Sequence, residues 1–308
     1  MMIDRKPSIE STSDNQKSKL KEIIGRIEKL PTPPFVFQQM MKVISNPFTS
    51  ALDIAAIVSE DAAMTARVLK ITNSAYYGLS FKIADVKHAV LIIGIEALKS
   101  LVLSSSLMNT FGKGKTANTE YNEHFWRHSL AVAYLARIIA RSTHRADLAY
   151  CEAAFSAGIL HDIGKIILSS YLPDVHIEKI KCIEVCSIPE YDAEIKVAGC
   201  NHGEIGFYLA ESWKLPESLL GPIAHHHYPA AQLEQDELPY LIHLSNHLIH
   251  SSRNTNAQQF SFETTPFCEN TWKSLGLNPD AEKDFLGKFD EEYSHAETFL
   301  KIGTSDNF

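Results

Sequence analysis

Residues 147–165 read DLAYCEAAFSAGILHDIGK. Asp147 is a residue type whose side chain can cap a helix, and an apolar run with helical spacing follows it to Leu160. The run ends against His161-Asp162, then Ile163-Gly164-Lys165. Adjacent histidine and aspartate offer a borderline nitrogen donor and a hard carboxylate to one cation, and the second carboxylate oxygen can bridge to another. A single His-Asp dipeptide is a weak signal, because chance occurrences are common. Its weight depends on what the flanking segments bring to the same place.

The flanking segments read as helices throughout. Upstream, apolar residues recur at steps of three and four over Lys19 to Leu30, Phe35 to Ser45, Leu52 to Glu60, Ala62 to Thr72 and Lys87 to Phe111. Leu30-Pro31-Thr32-Pro33-Pro34 stops the first, and Asp61 is placed to cap the fourth. The same pattern resumes over His124 to Arg141, Asp147 to Leu160, Ala193 to Trp213, Pro216 to His226 and Pro239 to His250. From Thr265 to Gly303 one or two further helices are expected, packed on the body through Trp272, Leu275, Phe285 and Phe289. Strand patterns are hard to find. The predicted fold is all-α, with two helical lobes and a C-terminal helical extension.

Several of these helices carry a ligand-type residue on the apolar side. His128 is in register with Val132, Leu135 and Ile139, and His202 with Ile205, Leu209 and Trp213. His226 and His227 close the helix whose apolar face is Leu219, Leu220 and Ile223, while Asn246 stands at the edge of the arc made by Leu241, Ile242, Ser245, Leu248 and Ile249. One such histidine is more often a core residue satisfied by a backbone carbonyl than a ligand. Five of them in one lobe would leave many polar atoms to satisfy, at ~1–3 kcal/mol for each failure. A metal centre inside a helical bundle explains the set better. By contrast His243, His247 and His250 form a stripe opposite the apolar arc and are expected on the outer face. Cys182 and Cys186, one turn apart, are read as packing residues, since no third sulfur or histidine is nearby in sequence.

Composition narrows the function. The 308 residues carry a net charge of -8, with no basic block interleaved with aromatics, which disfavours nucleic acid. His88 to Phe111 is the most apolar stretch, but Glu96 and Lys99 interrupt it, and each costs ~2.5–3.5 kcal/mol at a bilayer centre. No membrane span is expected. Five cysteines without a CxxC pair point to a reducing compartment, and a polar N-terminus without an apolar core to the absence of a signal peptide, hence to the cytoplasm. The polar stretch GKGKTANTEYN at 112–122 reads as a linker. The expected division is a disordered tail over 1–18, a first lobe over 19–113, a second over 114–255 and an extension over 256–308.

The series His128, His161-Asp162, His202 and His226-His227, with a polar residue at 246, resembles the signature of the HD superfamily of metal-dependent phosphohydrolases. From about Leu30 to His250 the chain resembles more closely the HDOD family, a signalling-associated relative of that superfamily. The marks are Leu30-Pro31, then Asp61 with LKITNSAYYG at 69–78, then Ala89-Val90 with Gly94. In the second lobe they are FWRHS at 125–129, HDIGK at 161–165, His202 with Gly206, WKLP at 213–216 and HHYP at 226–229. The resemblance implies a divalent centre of one or two ions, iron, manganese or zinc. His128, His161 and Asp162 would hold one ion with Asn246 as a fourth contact; Asp162, His202, His226 and His227 would hold the second.

Two departures bear on activity. Asn246 stands where active members of the superfamily carry an aspartate, and a neutral amide binds a hard cation more weakly. Relatives that hydrolyse cyclic dinucleotides have a glycine before the Tyr-Pro pair, whereas here His227 runs straight into Tyr228-Pro229. The favoured expectation is therefore a regulatory signalling protein that acts through a protein partner and not through catalysis. The alternative is a metal-dependent phosphohydrolase, with Asp162 at the centre and Lys165 contacting the phosphate of a small phosphorylated ligand. Lys165 is equally well read as a solvated charge near a helix end.

Overall fold

The structure is a computed structural model that describes residues 14–26, 38–39, 50–73, 79–112, 119–231, 236–252 and 267–293. Among the described residues every regular element is helical, so the all-α expectation holds. The helices are α1 (Asp14–Gly25), α2 (Ala51–Ser59), α3 (Ala62–Thr72), α4 (Val86–Ile93), α5 (Ile95–Gly112), α6 (Thr119–Ala140), α7 (Leu148–Leu160), α8 (Ile163–Tyr171), α9 (Pro173–Cys186), α10 (Glu190–Ala198), α11 (His202–Ser212), α12 (Glu217–His225), α13 (Leu238–Ser251), α14 (Thr271–Ser274) and α15 (Glu282–Tyr293).

The first lobe packs α2, α3, α4 and α5 on one another around Ile54, Val58, Val68, Val90 and Leu98. Its helix starts are capped by side chains from the sequence: Ser50 and Asp53 form a reciprocal capping box, and Asp61 and Asp85 accept from the backbone N–H groups of Met64 and His88. α5 lies against α7, where Ser100 Oγ donates to the Glu152 carbonyl at 3.1 Å and meets Ser156 Oγ at 3.0 Å. In the second lobe α6 pairs with α7 and α13, α8 with α11, and α11 and α13 with α12. The extension returns α15 onto α6, burying Leu275, Phe285 and Phe289 as expected, with Trp272 half-buried.

Several expected boundaries move. α1 begins at Asp14, inside the stretch read as tail, and ends at Gly25, not Leu30. The 87–111 helix is two: Gly94, at φ 87°, breaks the backbone between α4 and α5. The 193–213 helix is also two, divided by Gly199 at φ 74°, and Asn201 then caps α11 in a box with Glu204. Two helices, α8 and α9, occupy a stretch to which no helix was assigned. Within the expected linker, residues 119–122 are the first turn of α6, and 113–118 lie outside the described residues, as do the 35–45 helix apart from 38–39 and the loop over 253–260.

Candidate metal centre

α7 gives way to α8 at His161-Asp162, and both side chains are buried at this junction, at 0% and 1% exposure. The start of α8 lies hard against the start of α11: a Cβ on Gly164 would stand 1.9 Å from the His202 carbonyl oxygen. That approach brings Asp162 to the histidines of α11 and α12. Asp162 Oδ1 is 3.2 Å from His202 Nε2 and 3.3 Å from His226 Nε2; Oδ2 is 3.3 Å from His161 Nε2 and 3.7 Å from His128 Nε2. Two sets of donors thus share one carboxylate, His128 with His161 and Asp162, and His202, His226 and His227 with Asp162, each set lying within 4.8 Å. Asn246 is buried on α13, which packs against the helix carrying His128.

The outer nitrogens fix the tautomers. His161 Nδ1 donates to the Gly158 carbonyl at 2.7 Å, His226 Nδ1 to the Ile223 carbonyl at 3.1 Å, and His202 Nδ1 to Glu194 Oε2 at 2.6 Å. These partners can only accept, so in each neutral ring the lone pair sits on Nε2 and faces inward. His202 Nε2 is then 2.8 Å from His227 Nε2 and 3.2 Å from His226 Nε2. Nitrogen lone pairs converging at such distances need a shared proton or a cation between them. Within this centre His161 Nε2 and Asp162 Oδ1 are buried without a hydrogen bond. Orphaned donors of N and O type at this spacing fit one or two divalent ions with bonds of about 2.0–2.2 Å.

A ring of alternating charge encloses the set. Lys165 Nζ lies 2.8 Å from Asp162 Oδ2 and 3.3 Å from Glu190 Oε2; Lys179 pairs with Glu190 and is 3.6 Å from Glu194 Oε1, and Glu194 returns to His202. Lys165 is buried, which overturns the reading of a solvated charge. Lys179, Glu190 and Glu194 escaped the sequence reading, although a signal was there: Val175, Lys179 and Ile183 share one face at steps of four, as do Glu190, Glu194 and Ala198, so ionic residues occupy apolar registers.

The field of this ring shifts the centre in both directions. Burial alone would lower the His202 pKa, but the Glu194 carboxylate outweighs it and pushes the ring up to about 10. Burial pulls His226 down to about 4. Burial would raise the Asp162 carboxyl, yet His161 and Lys165 beside it hold it well below the ordinary range. With metal stripped by a chelator, stability should therefore peak near pH 6.5. Above it the native state keeps the His202 proton that the unfolded chain releases, and that stabilisation is lost as pH rises towards 10; below it the unfolded chain gains a proton at residue 226 that the native state refuses until about pH 4. Denaturant midpoints measured from pH 4 to 10 test this, and a plateau from 6.5 to 9 would refute the charged His202.

The stripe on α13 is not on an outer face. His243 is buried, donating from Nδ1 to the His226 carbonyl at 2.7 Å and accepting the Cys268 N–H on Nε2 at 3.1 Å. Phe267 covers both His243 and His247, with ring centroids 5.4 and 4.4 Å away, and His250 stacks on His128 at 4.6 Å. Cys182 and Cys186 are half-buried and exposed, so neither is a core packing residue.

Comparison with known proteins agrees with the fold. The HDOD domain family model matches residues 30–229. A crystal structure of an HDOD domain protein from Geobacter sulfurreducens aligns over 94% of this chain and 97% of its own, at 23% identity and a TM-score of 0.75. One from Marinobacter aquaeolei VT8, provisionally described as a signal transduction protein, aligns over 96% of this chain and 67% of its own, at 19% identity and 0.75. Another from Shewanella amazonensis SB2B, provisionally described as a phosphohydrolase, gives 20% identity and 0.69 over 91% and 96%. An uncharacterized protein of Treponema pallidum (strain Nichols) is 28% identical over 225 residues, 73% of this chain but only 43% of that relative's length.

Proposed function

The chain belongs to the HDOD domain family, and from that premise we propose that it is a regulatory protein whose buried His/Asp centre binds a divalent cation and whose output is contact with a separate signalling protein. The observation that carries this reading is enclosure. His161, Asp162, His202, His226 and His227 are all 3% exposed or less, and Lys165, the side chain best placed to meet a phosphate, is already neutralised between Asp162 and Glu190. A group held this way organises the meeting of α7, α8, α11 and α12 more readily than it turns over a substrate. Asn246 in place of an acidic ligand points the same way.

In this reading His128, His161 and Asp162, with Asn246, hold one ion, and Asp162, His202, His226 and His227 the other. A bound divalent ion supplies Lewis acidity and lowers the pKa of water. Glu194 fixes the His202 tautomer, the Gly158 and Ile223 carbonyls do so for His161 and His226, and Lys165 balances the Asp162 charge. The lobes are taken as 19–113 and 114–255, with 256–308 as the extension. No helix among the described residues is long and apolar enough to cross a membrane. A metal-dependent phosphohydrolase is the second reading, favoured by one observation, the single carboxylate shared between two donor sets.

Two measurements separate the readings. Metal analysis should find one or two equivalents of iron, manganese or zinc per chain, and the loaded protein should leave generic phosphomonoesters and phosphodiesters intact. Metal-dependent turnover that disappears in His161→Ala would overturn the regulatory reading. Glu194→Gln, which keeps the shape but weakens the acceptor for His202, is expected to lower metal affinity about 10–100-fold. Competition with a chromogenic chelator reads that change, and an unaltered affinity would remove Glu194 from the centre's support.

A further inference from the structure

Away from the metal centre, the last turn of α9 carries Cys182 and Cys186 one helical turn apart. Lys196 on α10 places its ammonium Nζ 3.1 Å from Cys186 Sγ. Cys186 and Lys196 are exposed and Cys182 is half-buried, so a small solute reaches the group directly. Two of the other cysteines differ: Cys151 and Cys200 are buried, and burial raises both thiols, Cys200 to about 12. Residues four apart on a helix have Cα atoms about 6 Å apart, which a disulfide can span, but Cβ atoms about 5–6 Å apart, so closing the bridge requires the last turn to tighten. Cys186 also ends its helix, and Ser187 follows at φ 50°, so the last turn can adjust without disturbing regular structure beyond it.

We propose that Cys186, Cys182 and Lys196 form a peroxide-reactive dithiol site, with Cys186 as the attacking thiol, Lys196 as the cation that favours its thiolate, and Cys182 as the resolving thiol. Lys196 hydrogen-bonds Cys186 and holds its thiol below the ordinary value, and Cys186 is the more exposed of the two, which assigns it the attacking role. In the first step the Cys186 thiolate attacks one oxygen of hydrogen peroxide. An S–O bond forms, the O–O bond breaks, and the departing hydroxide takes a proton from solvent, leaving a sulfenic acid and water. In the second, Cys182 loses its proton and attacks Cys186 Sγ. The S–S bond forms, the S–O bond breaks, and hydroxide leaves with that proton as a second water. Sulfur is oxidised, peroxide is reduced, and a small thiol reverses the product.

The test uses the full chain, treated with an equivalent of hydrogen peroxide, alkylated and mapped by mass spectrometry. The peptide holding residues 182 and 186 should lose two hydrogens, while Cys151, Cys200 and Cys268 remain alkylated. Cys182→Ser should stop at a sulfenic acid that dimedone captures, Cys186→Ser should abolish the reaction, and Lys196→Met should slow it roughly 5-fold. Cys186 reacting no faster than Cys268, or at the same rate in Lys196→Met, would overturn the proposal. Wild-type protein that halts at the sulfenic acid would remove Cys182 from it.

Discussion

Asp162→Ala should empty the metal centre and unfold the protein at a markedly lower temperature. Both donor sets meet on this carboxylate, so its loss leaves two imidazoles on one side and three on the other with nothing to join them. It also removes the carboxylate 2.8 Å from the buried Lys165 Nζ, which lies 3.3 Å from Glu190 Oε2. Breaking a buried ion pair from one side costs about 3–5 kcal/mol. For a chain of this size that corresponds to a fall of about 5–10 °C in Tm, before the stabilisation by bound metal is counted. Adding Lys165→Met should return part of the stability and none of the metal. Denaturant midpoints and metal content, measured on the single and double variants, check both halves. Retention of a full equivalent of metal in Asp162→Ala would sink the assignment of the centre.

Gly164→Ala should be as damaging through geometry alone. The added methyl would lie 1.9 Å from the His202 carbonyl oxygen and 2.7 Å from its carbon, so the N-terminus of α11 has to retreat by more than 1 Å. Backbone cannot give way as a side-chain tip does, and overpacking of this kind costs about 3 kcal/mol or more. The retreat carries His202 away from Asp162, so metal affinity and stability should fall together. Gly287→Ala is the control. It lies on the exposed face of α15 with nothing within 4 Å of the added Cβ, and a helical alanine there should stabilise by about 0.5–1 kcal/mol. Equal behaviour of the two variants would mean that the contact between α8 and α11 is not what positions the histidine.

Much of this was legible in the sequence, and the failures share a cause. Helical period placed His128 and His202 inward, in register with aliphatic residues that must be buried somewhere, while His161-Asp162 and His226-His227 follow from standing at the ends of apolar helices. The same reasoning misplaced His243. A helical wheel assumes one apolar arc and one wet face, but α13 is enclosed on both, by α6, α7 and α12 on one side and by Phe267 and α14 on the other. The ring that Lys179, Glu190 and Glu194 complete around Lys165 was missed for a related reason. Ionic side chains read as solvated until the partner that neutralises them is in view, and the partners lie on α9 and α10. Gly94 and Gly199 divided helices that hydrophobic period alone joins, since a left-handed residue turns the chain without interrupting the apolar pattern.

His243 joins two things that matching treats separately. The family model's match ends at residue 229, before α13 begins, yet His243 ties the carbonyl of His226 to the backbone of Cys268, and the ring of His128 rests on His250. The packed unit is thus longer than the matched one. A fragment cut at residue 229 would lose His243, Asn246 and the His250 ring, and with them the tie from the His226 carbonyl to the Cys268 backbone and the stack on His128.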